Sequence, residues 1–97
     1  MKRELEKTIE KYLGKKIKEL GGLYYKFVSP GNIGVPDRII FLPAGKIIFV
    51  ELKTETGVLT NLQKCQIEKL KKLGVDVRVV KGKKEAADFI EEMKHGI

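Results

Sequence analysis

The sequence predicts an α/β fold: a mixed four-stranded sheet flanked by helices, in the order α-β-β-β-α-β-α. Three observations carry this. Apolar residues recur at helical spacing in three segments, and β-prone runs lie between them. The first three β-prone runs are joined by short stretches of Gly, Pro and Asn, which makes antiparallel neighbours of them. The third and fourth runs are separated by a whole helix, long enough for the crossover that a parallel pair requires.

Residues 3–20 form the first helical segment, with Leu5, Ile9, Tyr12, Leu13, Ile17 and Leu20 as its apolar stripe. Gly21-Gly22 stops it. Leu23 to Val28 is aromatic and β-prone, so it reads as a strand. Ser29 to Gly34 carries one proline and two glycines and reads as a turn. Arg38–Leu42 and Lys46–Lys53 are strands, joined as a hairpin by Pro43-Ala44-Gly45. Thr54 to Thr60 is a loop, and Thr60 can cap a helix over Asn61–Leu73. Gly74 ends that helix, Val75–Val80 is the fourth strand, and Lys83–Met93 is the last helix.

The 97 residues suffice for one domain, expected to span 1–97. A hydrophobic content of 42% suits a folded chain. The net charge of +7, from 20 Lys+Arg against 13 Asp+Glu, favours an anionic partner, most simply nucleic acid. The single cysteine, Cys65, excludes an internal disulfide, and no Cys/His set has zinc spacing. No segment reaches membrane-span length and no apolar leader is visible, so an intracellular, cytoplasmic protein is expected.

Three charges sit where apolar strands should be uninterrupted: Asp37, Glu51 and Lys53. Side chains alternate across a strand, so Glu51 and Lys53 share a face and Leu52 takes the other. Pairing about the Pro43-Ala44-Gly45 turn sets Asp37 opposite Glu51. Opposed carboxylates repel each other, and a cation between them resolves the conflict. Oxygen ligands favour Mg²⁺ or Mn²⁺ over zinc. Spacing alone leaves open a plainer reading, in which Asp37 caps a turn and Glu51 pairs with Lys53 on a solvated edge. The register argues for the metal site.

Pro36-Asp37, then Glu51-Leu52-Lys53 across a hairpin, resembles the PD-(D/E)xK nuclease signature. The surrounding residues narrow it. Lys26-Phe27-Val28-Ser29-Pro30-Gly31, Gly34-Val35-Pro36-Asp37-Arg38-Ile39, Phe49-Val50-Glu51-Leu52-Lys53, and Gly57 and Leu59 ahead of Leu62-Gln63 resemble the VRR-NUC family, in particular its stand-alone, virus-type members. The resemblance runs from Glu6 to about Val80. It implies a restriction-endonuclease-like core and a metal-dependent DNA endonuclease. Asp37, Glu51 and the main-chain carbonyl of Leu52 would ligate Mg²⁺ or Mn²⁺. Lys53 would orient the attacking water and stabilise charge on the phosphate. It also implies a glutamate on the first helix and a glutamine after the ExK strand. Gln63 matches the glutamine, and would position a water or the substrate. Glu6 and Glu10 both offer the glutamate. On a helical wheel Glu6 falls between Leu13 and Ile17, and Glu10 at the stripe's edge, so Glu6 is the first choice and Glu10 the alternative.

Thr54-Glu55-Thr56 and Lys81-Gly82 depart from the family's usual pattern, away from the chemistry. Lys26, Ser29, Gly31, Arg38 and Lys64 are the candidate DNA contacts. No base-reading motif is visible, so shape rather than sequence would be recognised. Relatives of this type imply a homodimer acting on four-way, Holliday-type junctions, encoded by a virus or prophage. The competing functions are another nuclease role (flap cutting, nicking or restriction-like cleavage) and a basic nucleic-acid-binding module without catalysis.

Overall fold

A computed structural model describes residues 2–96, with side-chain environments from residue 6 onward. Three helices and four strands follow the expected order: α1 (Lys2–Glu19), β1 (Leu23–Lys26), β2 (Arg38–Leu42), β3 (Lys46–Lys53), α2 (Asn61–Lys72), β4 (Val77–Lys81) and α3 (Gly82–Gly96). The sheet runs β1-β2-β3-β4. Its first three strands are antiparallel, and β4 joins β3 in parallel through the α2 crossover. Among the described residues, no helix is long and apolar enough to cross a membrane.

One face of the sheet holds the core. Ile9, Leu13 and Ile17 of α1 and Ala86, Phe89, Ile90 and Met93 of α3 pack onto Ile40, Leu42, Ile48, Val50 and Leu52. The expected place of Leu5 in this stripe lies outside the described side chains. Alternation on β3 turns Glu51 away from this core, since Val50 and Leu52 point into it. Gln63 of α2 reaches Glu51, which puts α2 on the opposite face.

The helix ends fall within one to three residues of their sequence-based bounds, and two strands and the hairpin turn are more informative. β1 stops at Lys26, although Phe27 N–H still donates to the Asp37 carbonyl at 2.9 Å. β4 starts at Val77, because Val75 N–H turns back to the Leu70 carbonyl at 3.1 Å and closes the end of α2. Pro43–Gly45 is one 3-10 turn in which Ala44 takes φ 68°, a left-handed conformation unusual for alanine. That turn sets the hairpin register.

α2 begins with a reciprocal cap. Gln63 N–H donates to Thr60 Oγ1 at 3.1 Å, and Thr60 N–H donates to Gln63 Oε1 at 2.9 Å. Thr60→Ala is expected to cost about 1 kcal/mol of stability, measured by urea denaturation. The Gln63 side chain keeps its bond from the main-chain N–H of residue 60, and with it the contact that reaches the site described next.

Candidate active site

The β2–β3 ladder pairs Arg38 with Val50 and Leu42 with Lys46. Extended by one residue, it sets Asp37 opposite Glu51. The two carboxylates are held differently. Asp37 lies just before β2 and is one-third exposed. Its Oδ1 accepts from Leu52 N–H at 3.3 Å, and its Oδ2 lies 3.2 Å from the Arg38 guanidinium. Glu51 is 4% exposed, directly after the apolar run Ile47–Val50 of β3. Its Oε2 accepts from Gln63 Nε2 at 3.1 Å and lies 3.8 Å from Lys53 Nζ. Its Oε1 is buried with no hydrogen-bond partner.

This arrangement is costly without a cation. Burial pushes the Glu51 carboxyl up to about 7, and the negative charge of Asp37 adds to the rise; Lys53 offsets only part of it. An orphaned, buried carboxylate oxygen facing a second carboxylate fits a hard divalent cation. Among the described residues, no three Asp, Glu, His or Cys side chains converge tightly enough to form a metal cage on their own. The available donor set is therefore two carboxylates, completed by main-chain oxygen and water, which suits Mg²⁺ or Mn²⁺.

Gln63 links the cap of α2 to Glu51. Its Oε1 accepts the capping bond from Thr60 N–H, and one of its Nε2 hydrogens goes to Glu51. Chemistry fixes the amide's orientation, because only the NH₂ end can donate to a carboxylate. Gln63 thus locks one oxygen of Glu51 and leaves the other open.

The loop before Asp37 rests on this same turn of α2. A Cβ on Gly34 would lie 2.7 Å from the Leu62 carbonyl carbon and oxygen, and Gly34 has φ +94°. Gly34→Ala is expected to destabilise the fold by at least about 1–2 kcal/mol, read by urea denaturation. The clash falls between the loop that carries Asp37 and the turn that carries Gln63.

A cleft of about 600 Å³ opens beside Asp37, lined by Glu6, Lys7, Glu10, Lys26, Phe27 and Arg38 among others. The two helix glutamates differ there. Glu10 Oε2 is paired with the Arg38 guanidinium at 2.6 Å. Glu6 is half-buried in the cleft wall, close enough for its charge to raise the Glu51 carboxyl further.

Lys26 is exposed on the cleft, Gly31 is exposed in the loop, and Lys64 is exposed near the start of α2. Ser29 Oγ accepts from Asn32 Nδ2 at 3.0 Å within that loop. Arg38 departs from expectation. It is 4% exposed, and Glu10 and Asp37 engage its guanidinium, so it is not available to DNA phosphate. The signal was present in the sequence: Arg38 shares strand parity with Ile40 and Leu42, which face the core. The Glu10–Arg38 pair joins α1 to β2 and has no signature in local sequence. The Tyr24 hydroxyl is buried nearby without a well-formed hydrogen bond, and burial pushes it up to about 12.

The model of the VRR-NUC domain family matches residues 2–84. A protein described as "Putative nuclease p44", from Acyrthosiphon pisum secondary endosymbiont phage 1, is 48% identical over 75 residues, which is 77% of this chain and 81% of that protein. A solved structure described as a VRR_NUC domain superposes with a TM-score of 0.83 at 36% identity, covering 89% of this chain and 94% of its own. A second, described as a VRR_NUC domain protein, gives a TM-score of 0.68 at 18% identity over 95% of this chain and 86% of its own, and shares the fold. The match over most of the chain, together with the Asp37–Glu51–Lys53 geometry it spans, places this protein in the VRR-NUC family.

Proposed function

We propose that the chain is a single nuclease domain, a metal-dependent DNA endonuclease that cuts branched DNA, four-way junctions above all, as a homodimer. Family membership supports the nuclease. The observation that carries the mechanism is the buried Glu51 carboxylate: one oxygen is locked by Gln63, the other has no partner, and Asp37 stands opposite. Asp37, Glu51 and the Leu52 carbonyl would hold Mg²⁺ or Mn²⁺, with Glu6 as a further ligand through water. When bound, the ion supplies Lewis acidity for the attacking water and charge for the leaving oxygen.

The chain's own groups do the rest. Lys53 is four-fifths buried beside Glu51, so its charge is poorly screened. It orients the water and stabilises the negative charge that develops on the phosphate. Lys26 and Lys64 contact the DNA backbone, with the Ser29–Gly34 loop alongside. Binding therefore weakens steeply as salt rises.

The homodimer draws support from the sheet. The face carrying Asp37 and Glu51 continues through Ile39, Phe41 and Phe49 to Leu23, Tyr25 and Ile47, the last three about half exposed. The exposed apolar stretch of Leu23, Tyr25 and Ile47, away from the charged end of that face, suits a second copy of a chain that is otherwise strongly basic.

Four-way junction, flap, nicked and linear duplex DNA, each incubated with the protein in Mg²⁺ and in Mn²⁺, test this reading. Paired incisions in the junction at far higher rate than in linear duplex are expected. Equal cutting of linear duplex would remove the junction claim. Absence of cleavage with every divalent ion, with DNA binding retained, would favour a non-catalytic binding module.

A further inference from the structure

Arg38 is out of place on its strand face. Ile40 and Leu42, the other two residues of β2 on that face, are apolar, buried and packed into the core. Arg38 is as buried as they are, and its charge cannot be removed by deprotonation. Buried ion pairs of this kind are poor stability devices, because well-packed apolar residues commonly serve as well or better. The contacts of Arg38 point to a different use. One terminal nitrogen meets Glu10 Oε2 at 2.6 Å. The other donates to the Asp37 carbonyl at 2.8 Å and lies 3.2 Å from Asp37 Oδ2. Leu52 N–H takes Oδ1 of the same carboxylate. Asp37 is thereby pinned from two sides, opposite Glu51 in the strand register.

We infer that Arg38 and Glu10 act as a positioning pair for Asp37. Arg38 fixes the rotamer of the aspartate. Glu10 holds the guanidinium in place and balances its charge, so that Arg38 orients Asp37 without cancelling the charge a divalent cation needs. This rests on the nuclease reading above and gives Glu10 a task distinct from that of Glu6. An arginine alone beside Asp37 would compete with the cation. The planar fork of arginine is required, since it reaches Glu10 with one nitrogen and Asp37 with the other, which a lysine cannot do.

Glu10→Gln tests the inference, because it keeps the shape and removes the balancing charge. The Mn²⁺ concentration that gives half-maximal junction cleavage is expected to rise roughly 10–100-fold, with a smaller change in rate at saturating Mn²⁺. Calorimetric titration of Mn²⁺ into protein–junction complexes, in a Lys53→Ala background that prevents turnover, is expected to show the same shift. Arg38→Lys, which keeps the charge and loses the fork, is expected to raise the Mn²⁺ requirement as well. An unchanged Mn²⁺ midpoint in Glu10→Gln, whatever its thermal melt, would overturn the inference and leave a structural ion pair. If the unsubstituted protein neither cleaves nor binds Mn²⁺, the nuclease reading itself fails and takes this inference with it.

Discussion

Asp37→Asn is expected to lower junction cleavage by at least about a thousandfold while the protein still folds and still binds DNA. The size follows from the loss of one anionic ligand to a cation that supplies several kcal/mol of transition-state stabilisation. Retention of the fold follows from the contacts of Asp37. The asparagine Oδ1 can still accept from Leu52 N–H, and Arg38 keeps both Glu10 and the main-chain carbonyl of residue 37. DNA affinity should survive because Lys26 and Lys64 are untouched. Single-turnover cleavage, a thermal melt and a gel-shift titration on one preparation measure all three. Loss of folding together with cleavage would make Asp37 a structural residue instead.

Glu51→Gln is expected to produce an inactive protein that is more stable than the original above pH 7. The folded protein holds the Glu51 carboxyl at about 7, against 4.5 when unperturbed. Between those values the folded state keeps a proton that the unfolded state has released. Stability therefore falls as pH rises through this window, and levels off once the folded carboxyl is ionised. The ceiling on this loss is about 3 kcal/mol. Glutamine removes the charge and can still accept from Gln63 Nε2 through its carbonyl. Urea denaturation in EDTA at pH 4, 6 and 8 should show the two proteins alike at the lowest pH and diverging upward, by about 1–3 kcal/mol at pH 8. Mn²⁺ should recover the deficit of the original protein and leave the variant unmoved, because only the carboxylate form binds the ion. A variant less stable at every pH would contradict the picture of Glu51 as a strained ligand.

The opposition of Asp37 and Glu51 was legible in the sequence because it depends on local quantities alone. A tight turn at Pro43-Ala44-Gly45 and the two-residue period of a strand settle it. The fold followed for the same reason, since apolar periods and turn residues are read over short windows. What escaped depends on how elements meet in space. Gln63 touches Glu51 only because the α2 crossover descends at one depth over β3. Glu10 reaches Arg38 only because α1 lies over the start of β2. Arg38 is a positive charge beside an active-site motif, but its strand parity with Ile40 and Leu42 buries it. Val75 has the composition of a strand residue, but it is claimed by the end of α2. Such losses are expected where tertiary contacts compete with local preference.

Anomalous scattering from Mn²⁺ in crystals of the Lys53→Ala variant bound to junction DNA tests the central claim most directly. A manganese peak between Asp37 and Glu51, with carboxylate oxygens of both and the Leu52 carbonyl at about 2.1 Å, is the predicted result. Manganese bound only to phosphates or to other carboxylates, with Asp37 and Glu51 free of it while DNA occupies the cleft, would contradict the account.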